Sequence, residues 1–323
     1  LEKTAETTSI GTVARLGDWR GALRAIEQEQ RRLVQFGVTP DEIEREVTGV
    51  RAALQAGVAA ASTRTSASLA EGLVGAVDRE AVPTSPADRL TFFEEVAPTL
   101  TAERIHAAAR RLFTGSGPLV YLTLPRPLAN ARDVALATLR ESQKVALTPP
   151  LARERVAWPY ESFGQPGTVV ERREFAEVNA THIRFANGVR LTVRPSNGRK
   201  EQILVQVRFG DGRLAMDPVG TSPEWALGSG LTYGGTNRLD IDQINRALTG
   251  RLVGAGFGVD DDRFALSGGT RPADFATQMQ LLAATMTDAA WRPTGWNRVK
   301  TQANSFHDRF ESTPGGSLGR DLG

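Results

Sequence analysis

Apolar residues at Trp19, Leu23, Ile26, Leu33 and Phe36 recur every three or four positions, with Glu, Gln and Arg between them. That spacing predicts an amphipathic helix over 19–36. Thr39-Pro40-Asp41-Glu42 then carries the signature of a helix start: a hydroxyl N-cap, Pro at the first helical position and Glu three residues on. The helix that follows, over 41–61, places Ile43, Val47, Val50 and Leu54 on one face. Further helices are expected over 67–77, after Ser85, after Thr101 and over 131–142. The β-branched run 7–14 and the apolar run 119–124 predict strands, the second of them buried. The first section therefore reads as helices covering a sheet.

Residues 125–175 change character and hold six prolines: Pro125, Pro127, Pro149, Pro150, Pro159 and Pro166. Such a stretch is extended and semi-rigid. Beyond it, alternation over 181–185, the Asn187-Gly188 turn and alternation over 189–193 predict a hairpin. A further strand is expected over 202–209, helices over 223–231 and 240–249, a second antiparallel pair over 251–259 and 262–268, and helices over 275–286 and 296–310. The expected fold class is α+β, with two similar units, each an antiparallel sheet covered by helices. The boundaries are 1–142, a Pro-rich linker or hinge over 143–175, and 176–323.

Charge narrows the function classes. Lys and Arg total 39 and Asp and Glu 37, a formal net charge of +2 over 323 residues. That balance gives no electrostatic case for nucleic acid. No apolar run approaches the roughly 18 residues of a membrane span. There is no cysteine, so thiol and thiolate chemistry is excluded. Metal chemistry would have to use carboxylates or the three histidines, His106, His182 and His307. The chain starts Leu1-Glu2-Lys3-Thr4, without an initiator Met or a signal peptide, and is expected to be an internal piece of a longer protein.

The order Asn187-Gly188-Val189-Arg190-Leu191, then Val205 to Gly212, then Gly230-Leu231-Thr232-Tyr233-Gly234-Gly235-Thr236 resembles a repeat of the insulinase/pitrilysin-type metallopeptidases (inverzincins). The resemblance continues through Phe264 to Thr270 and the helix over 275–286. In the first section it rests on Leu23 to Glu27, Gly37 to Glu44 and Thr99 to Ile105. It implies four α+β repeats, closing in two halves around a peptide chamber. The catalytic repeat of such enzymes carries H-x-x-E-H on a helix and a third ligand, Glu, about 75 residues downstream. Here the five slots hold Ala226, Leu227, Gly228, Ser229 and Gly230, and the downstream slot falls at Ser305-Phe306. Ala226, Ser229 and Gly230 offer none of the chemistry of zinc ligands and base.

The resemblance thus implies the end of a second repeat followed by a degenerate, non-catalytic third one, with zinc in an upstream repeat and no cofactor in this chain. The slots should lie on a helix packed against a sheet. The implied partners are a peptide substrate and other repeats of the same parent, or a partner subunit. The implied setting is periplasmic. An alternative is a wholly inactive assembly protein resembling the bc1 core subunits or the processing-peptidase partner.

Other candidates carry less. Gly254, Gly256 and Gly258 lack the Lys-Ser/Thr of a phosphate loop. The resemblance places them on a chamber-lining strand, where bare backbone could bind an extended peptide. Asp260-Asp261-Asp262 reads as a solvated turn rather than a Ca²⁺ or Mg²⁺ loop. Glu103 reads as a partner of the helix start. The basic face of Arg24, Arg31 and Arg32 reads as solvated, and Trp158, Tyr160 and Phe163 as anchors of the linker.

Overall fold

A computed structural model describes residues 7–12, 14, 17–115, 118–124, 127–151, 155–216 and 224–322. The first section is helical: α1 (Trp19–Phe36), α2 (Pro40–Ala59), α3 (Ser66–Asp78), α4 (Pro86–Val96), α5 (Ala102–Leu112) and α6 (Ala131–Gln143). The local start signals act as expected. Thr39 Oγ1 accepts the Glu42 N–H at 3.3 Å while Glu42 accepts the Thr39 N–H at 2.8 Å. Ser85 and Asp88 form the same reciprocal box at α4, and Thr101 caps α5. Each such cap is worth about 1 kcal/mol. The amphipathic face of α1 packs on α5 and α6, and α2 packs on α4.

The expected strands of this section do not form. Residues 7–12 and 14 have no strand structure, and neither does 119–124. Leu119 and Tyr121 are 97% and 93% exposed, so that run is not buried either. The reason is pairing: a strand needs a partner, and among its described residues this section supplies none.

The second section is α+β. A three-stranded antiparallel sheet has the order β1-β2-β3, formed by β1 (Val169–Phe175), β2 (Ala180–Phe185) and β3 (Arg190–Val193). A second sheet has the order β4-β6-β5, formed by β4 (Ile203–Phe209), β5 (Gly256–Val259) and β6 (Phe264–Thr270). So β1 begins inside the stretch expected to be linker, and one expected sheet is two. Among the described residues five helices accompany the strands: α7 (Glu224–Gly234), α8 (Ile241–Ala247), α9 (Phe275–Thr287), α10 (Pro293–Ser312) and α11 (Pro314–Leu322). The last was not foreseen, because its glycines read as breakers. Its start is nonetheless signalled, since Thr313 Oγ1 accepts the Gly316 N–H at 3.0 Å.

The core lies between α8, α9 and the second sheet. It is built on Leu239, Ile244, Leu248 and Leu281, with Val156, Trp158 and Val253 packed against them. Leu266 of β6 and Leu282 of α9 are each 1% exposed, burial worth about 2 kcal/mol per side chain. The aromatics of the Pro-rich stretch anchor here. Trp158 Nε1 donates to Gln280 at 3.1 Å. The Tyr160 hydroxyl donates to Asp288 and lies 2.5 Å from Thr236 Oγ1. Phe163 stacks on Tyr160, with ring centroids 6.3 Å apart.

Candidate functional site

The five positions aligned to the zinc motif, 226–230, lie on α7, which packs on β5 and α10. Ala226 is 1% exposed, and Gly230 is buried. A Cβ at Gly230 would sit 2.8 Å from the Trp291 ring, so that ring occupies the space a longer side chain would need. Position 305 and Phe306 lie on α10, the neighbour of α7. The donor set does not fit zinc: Ala and Gly have no ligand atom, and Ser229 alone is a poor one. Among the described residues no group of three His, Cys, Asp or Glu is placed to hold a metal.

The mapping yields a prediction. The triple variant Ala226→His, Ser229→Glu, Gly230→His should gain no tight zinc site. It should lose at least about 2 kcal/mol of stability, because two buried small residues become large. Calorimetric zinc titration and a urea melt check this, and a submicromolar site with stability intact would overturn it.

Next to α7 runs β5. The Asp260 N–H donates to the Arg263 carbonyl at 2.9 Å, which sets the alternation of the β5–β6 ladder. Gly256 and Gly258 then turn their backbone groups to β6, while those of Phe257 and Val259 point to the edge of the sheet. At that edge α7 packs against β5, and a Cβ at Gly228 would lie 3.0 Å from the Phe257 carbonyl. Gly256 and Gly258 share the exposed face, and neither has positive φ. A Cβ on Gly258 would meet nothing within 4 Å, and one on Gly256 would only touch Ser267. This chain's own packing does not require glycine at either position.

Gly254 is held differently. Its N–H donates to Gln278 Oε1 at 3.0 Å, and its carbonyl accepts from Gln278 Nε2 at 2.7 Å. Gln278, on α9, is fully buried. Its amide acts as one more rung of β-pairing for the segment that leads into β5. Gly268 lies beneath this contact, where a Cβ would fall 2.3 Å from the Gly254 carbonyl. Asp274 holds the same segment further upstream. It accepts from the Leu252 N–H at 3.0 Å, from Arg271 Nε at 2.6 Å and from Arg251 at 3.3 Å. Burial pushes the Asp274 carboxyl up, but the Leu252 N–H and the two guanidiniums together hold it below the usual Asp value. Sequence reasoning missed both residues.

A cavity of about 590 Å³ opens beside this segment, between α2, α7, α8 and β5. Gly254, Ala255 and Phe257 line it, whereas Gly256 and Gly258 do not.

The remaining candidates have structural partners. His106 Nε2 lies 2.8 Å from the Val34 carbonyl, joining α5 to α1. His182 contacts Thr192 across the β2–β3 pair at 3.1 Å. His307 lies on α10, edge-on to Phe306. Asp260 and Asp262 pair with Arg263, and Asp261 with Arg213. Arg31 is not simply solvated: it donates to the Ser142 and Val145 carbonyls at the end of α6 while paired with Glu27.

No protein-family model matches the chain, and no curated protein matches it. Two solved structures are similar. One is a mutant of the ferredoxin protease FusC in complex with Arabidopsis ferredoxin, at a TM-score of 0.50 and 15% identity over 96% of this chain. The other is the periplasmic protease PqqL from Escherichia coli, at a TM-score of 0.44 and 16% identity over 90% of this chain. This chain spans 35% and 32% of their lengths. It therefore shares its fold with about a third of the FusC chain.

Proposed function

We propose that this chain is a non-catalytic, peptide-binding segment of an insulinase-type zinc endopeptidase. It completes the peptide chamber and holds substrate backbone, while zinc chemistry belongs to another repeat of the parent. The observation that carries the reading is the pairing of α7 with β5. A helix whose slots hold no ligand lies beside the edge strand β5, whose outward groups at Val259 can pair with an extended chain. The bare face at Gly256 and Gly258 supports it, since the fold itself does not demand glycine there. The stretch 143–175 would be the hinge between halves, and the parent's setting would be periplasmic, as the family resemblance suggests.

Peptide chemistry tests this without altering the protein. A labelled extended peptide should bind in fluorescence anisotropy, and the same peptide N-methylated at alternate amides should lose that binding, having lost its ladder donors. Equal binding of the two would sink edge pairing. In parallel, Gly256→Val with Gly258→Val should keep or raise stability, by up to about 1 kcal/mol, while weakening the peptide. Unchanged affinity in that variant would remove the glycines from the site.

A further inference from the structure

The cavity beside β5 has a chemistry of its own. Its floor is apolar, with Ile244, Leu248 and Leu281 all buried in the core. Its volume, about 590 Å³, suits a side chain or two rather than a single water. Three arginines line it. Arg45 is paired with Asp41, and Arg251 with Asp274. Arg246, on α8, is different: its Nε is buried and has no hydrogen-bond partner among the described residues. The buried Nε is out of a ligand's reach, so an anion in the cavity would meet the terminal nitrogens of the guanidinium. The group whose two oxygens match that planar fork is a carboxylate.

Continuity with the strand edge says what would bring the carboxylate. Ala255 and Phe257 line the cavity, and Phe257 with Val259 forms the outward edge of β5. A chain laid along that edge runs on into the cavity mouth. We propose that the cavity takes an apolar side chain of a bound peptide together with a neighbouring carboxylate, which Arg246 holds. This rests on the peptide-binding reading and adds a preference to it. The carboxylate can be the peptide's own C-terminus or an Asp or Glu side chain.

Glu46 of α2 also lines the cavity and supplies the competing account, in which it swings across to pair with Arg246. The test uses the full chain and three labelled peptides that share one apolar sequence. One ends in a free carboxylate, one is C-terminally amidated with an added Glu, and one is amidated without an acid. At least one acidic peptide should bind about tenfold tighter than the neutral one, and which one does identifies the source of the carboxylate. Arg246→Gln should erase that difference. Arg246→Lys, which keeps the charge but loses the fork, should retain only part of it and covers the case in which the Gln variant does not fold. Glu46→Gln should tighten the acidic peptides.

Equal affinity for all three peptides overturns the proposal. So does an acid preference that survives Arg246→Gln, or one that Glu46→Gln weakens. Neutral-peptide binding that responds to N-methylation while Arg246→Gln changes nothing leaves the strand edge in place and removes only the cavity. If no peptide binds, both readings fall.

Discussion

Asp274→Ala is expected to lower the unfolding free energy by about 3 kcal/mol. The carboxyl is 2% exposed and has three donors on it, so its removal orphans the Leu252 N–H and leaves Arg271 without its counter-charge. Urea denaturation at neutral pH reads the loss directly. The same residue predicts a pH dependence. Its carboxyl is held below the ordinary value in the folded state, so its contribution is complete above the unfolded-chain pKa of about 3.9. The contribution fades as pH falls from there through the lower folded value, because the unfolded chain then binds the proton more readily. The stability gap between the native chain and Asp274→Asn should therefore narrow below about pH 4. A gap that stays constant down to the acid limit would show that the charge is not what stabilises this corner.

Gln278→Leu should cost about 2–4 kcal/mol, although Leu is close in size and more apolar. The substitution leaves both backbone groups of Gly254 without their partner, in a place where no other described group takes them. The urea midpoint should fall. Amide exchange at Gly254 should accelerate more than at Leu281, which lies on the same helix. A variant as stable as the native chain would mean that water replaces the amide at no cost. Asp274 and Gln278 pin successive parts of one segment, so their double variant should deviate from additivity.

What could be anticipated from the residues follows from how far each interaction reaches along the chain. The starts of α2, α4 and α8 were legible because Thr39 with Glu42, Ser85 with Asp88 and Asp240 with Gln243 complete their exchange within three residues. The strands expected over 7–14 and 119–124 failed for the opposite reason. Their alternation is a local signal, but strandhood depends on a partner elsewhere. The Asn187-Gly188 hairpin succeeded because its partner is adjacent.

Asp274 went unnoticed because its partner is distant: it precedes α9 but makes no cap there, and its side chain reaches back to Leu252 instead. Gln278 offered only a faint cue, a polar residue on the inward face of an amphipathic helix. The helix expected over 223–231 forms as α7, while Trp291, which fills the space at Gly230, lies 61 residues away and gave no sign of it.

The docking of the aromatics of the Pro-rich stretch has a consequence for dissecting the chain. Val156 and Trp158 are packed on the core of the second section, and Tyr160 is tied to Thr236 and Asp288 inside it. A cut at 175, the expected end of the Pro-rich stretch, would strip that core of an indole and a phenol and leave Thr236 and Asp288 to solvent. A fragment that keeps this core intact therefore has to begin ahead of Val156. A fragment starting there should survive protease, whereas one starting at Ala176 should be digested as an open chain.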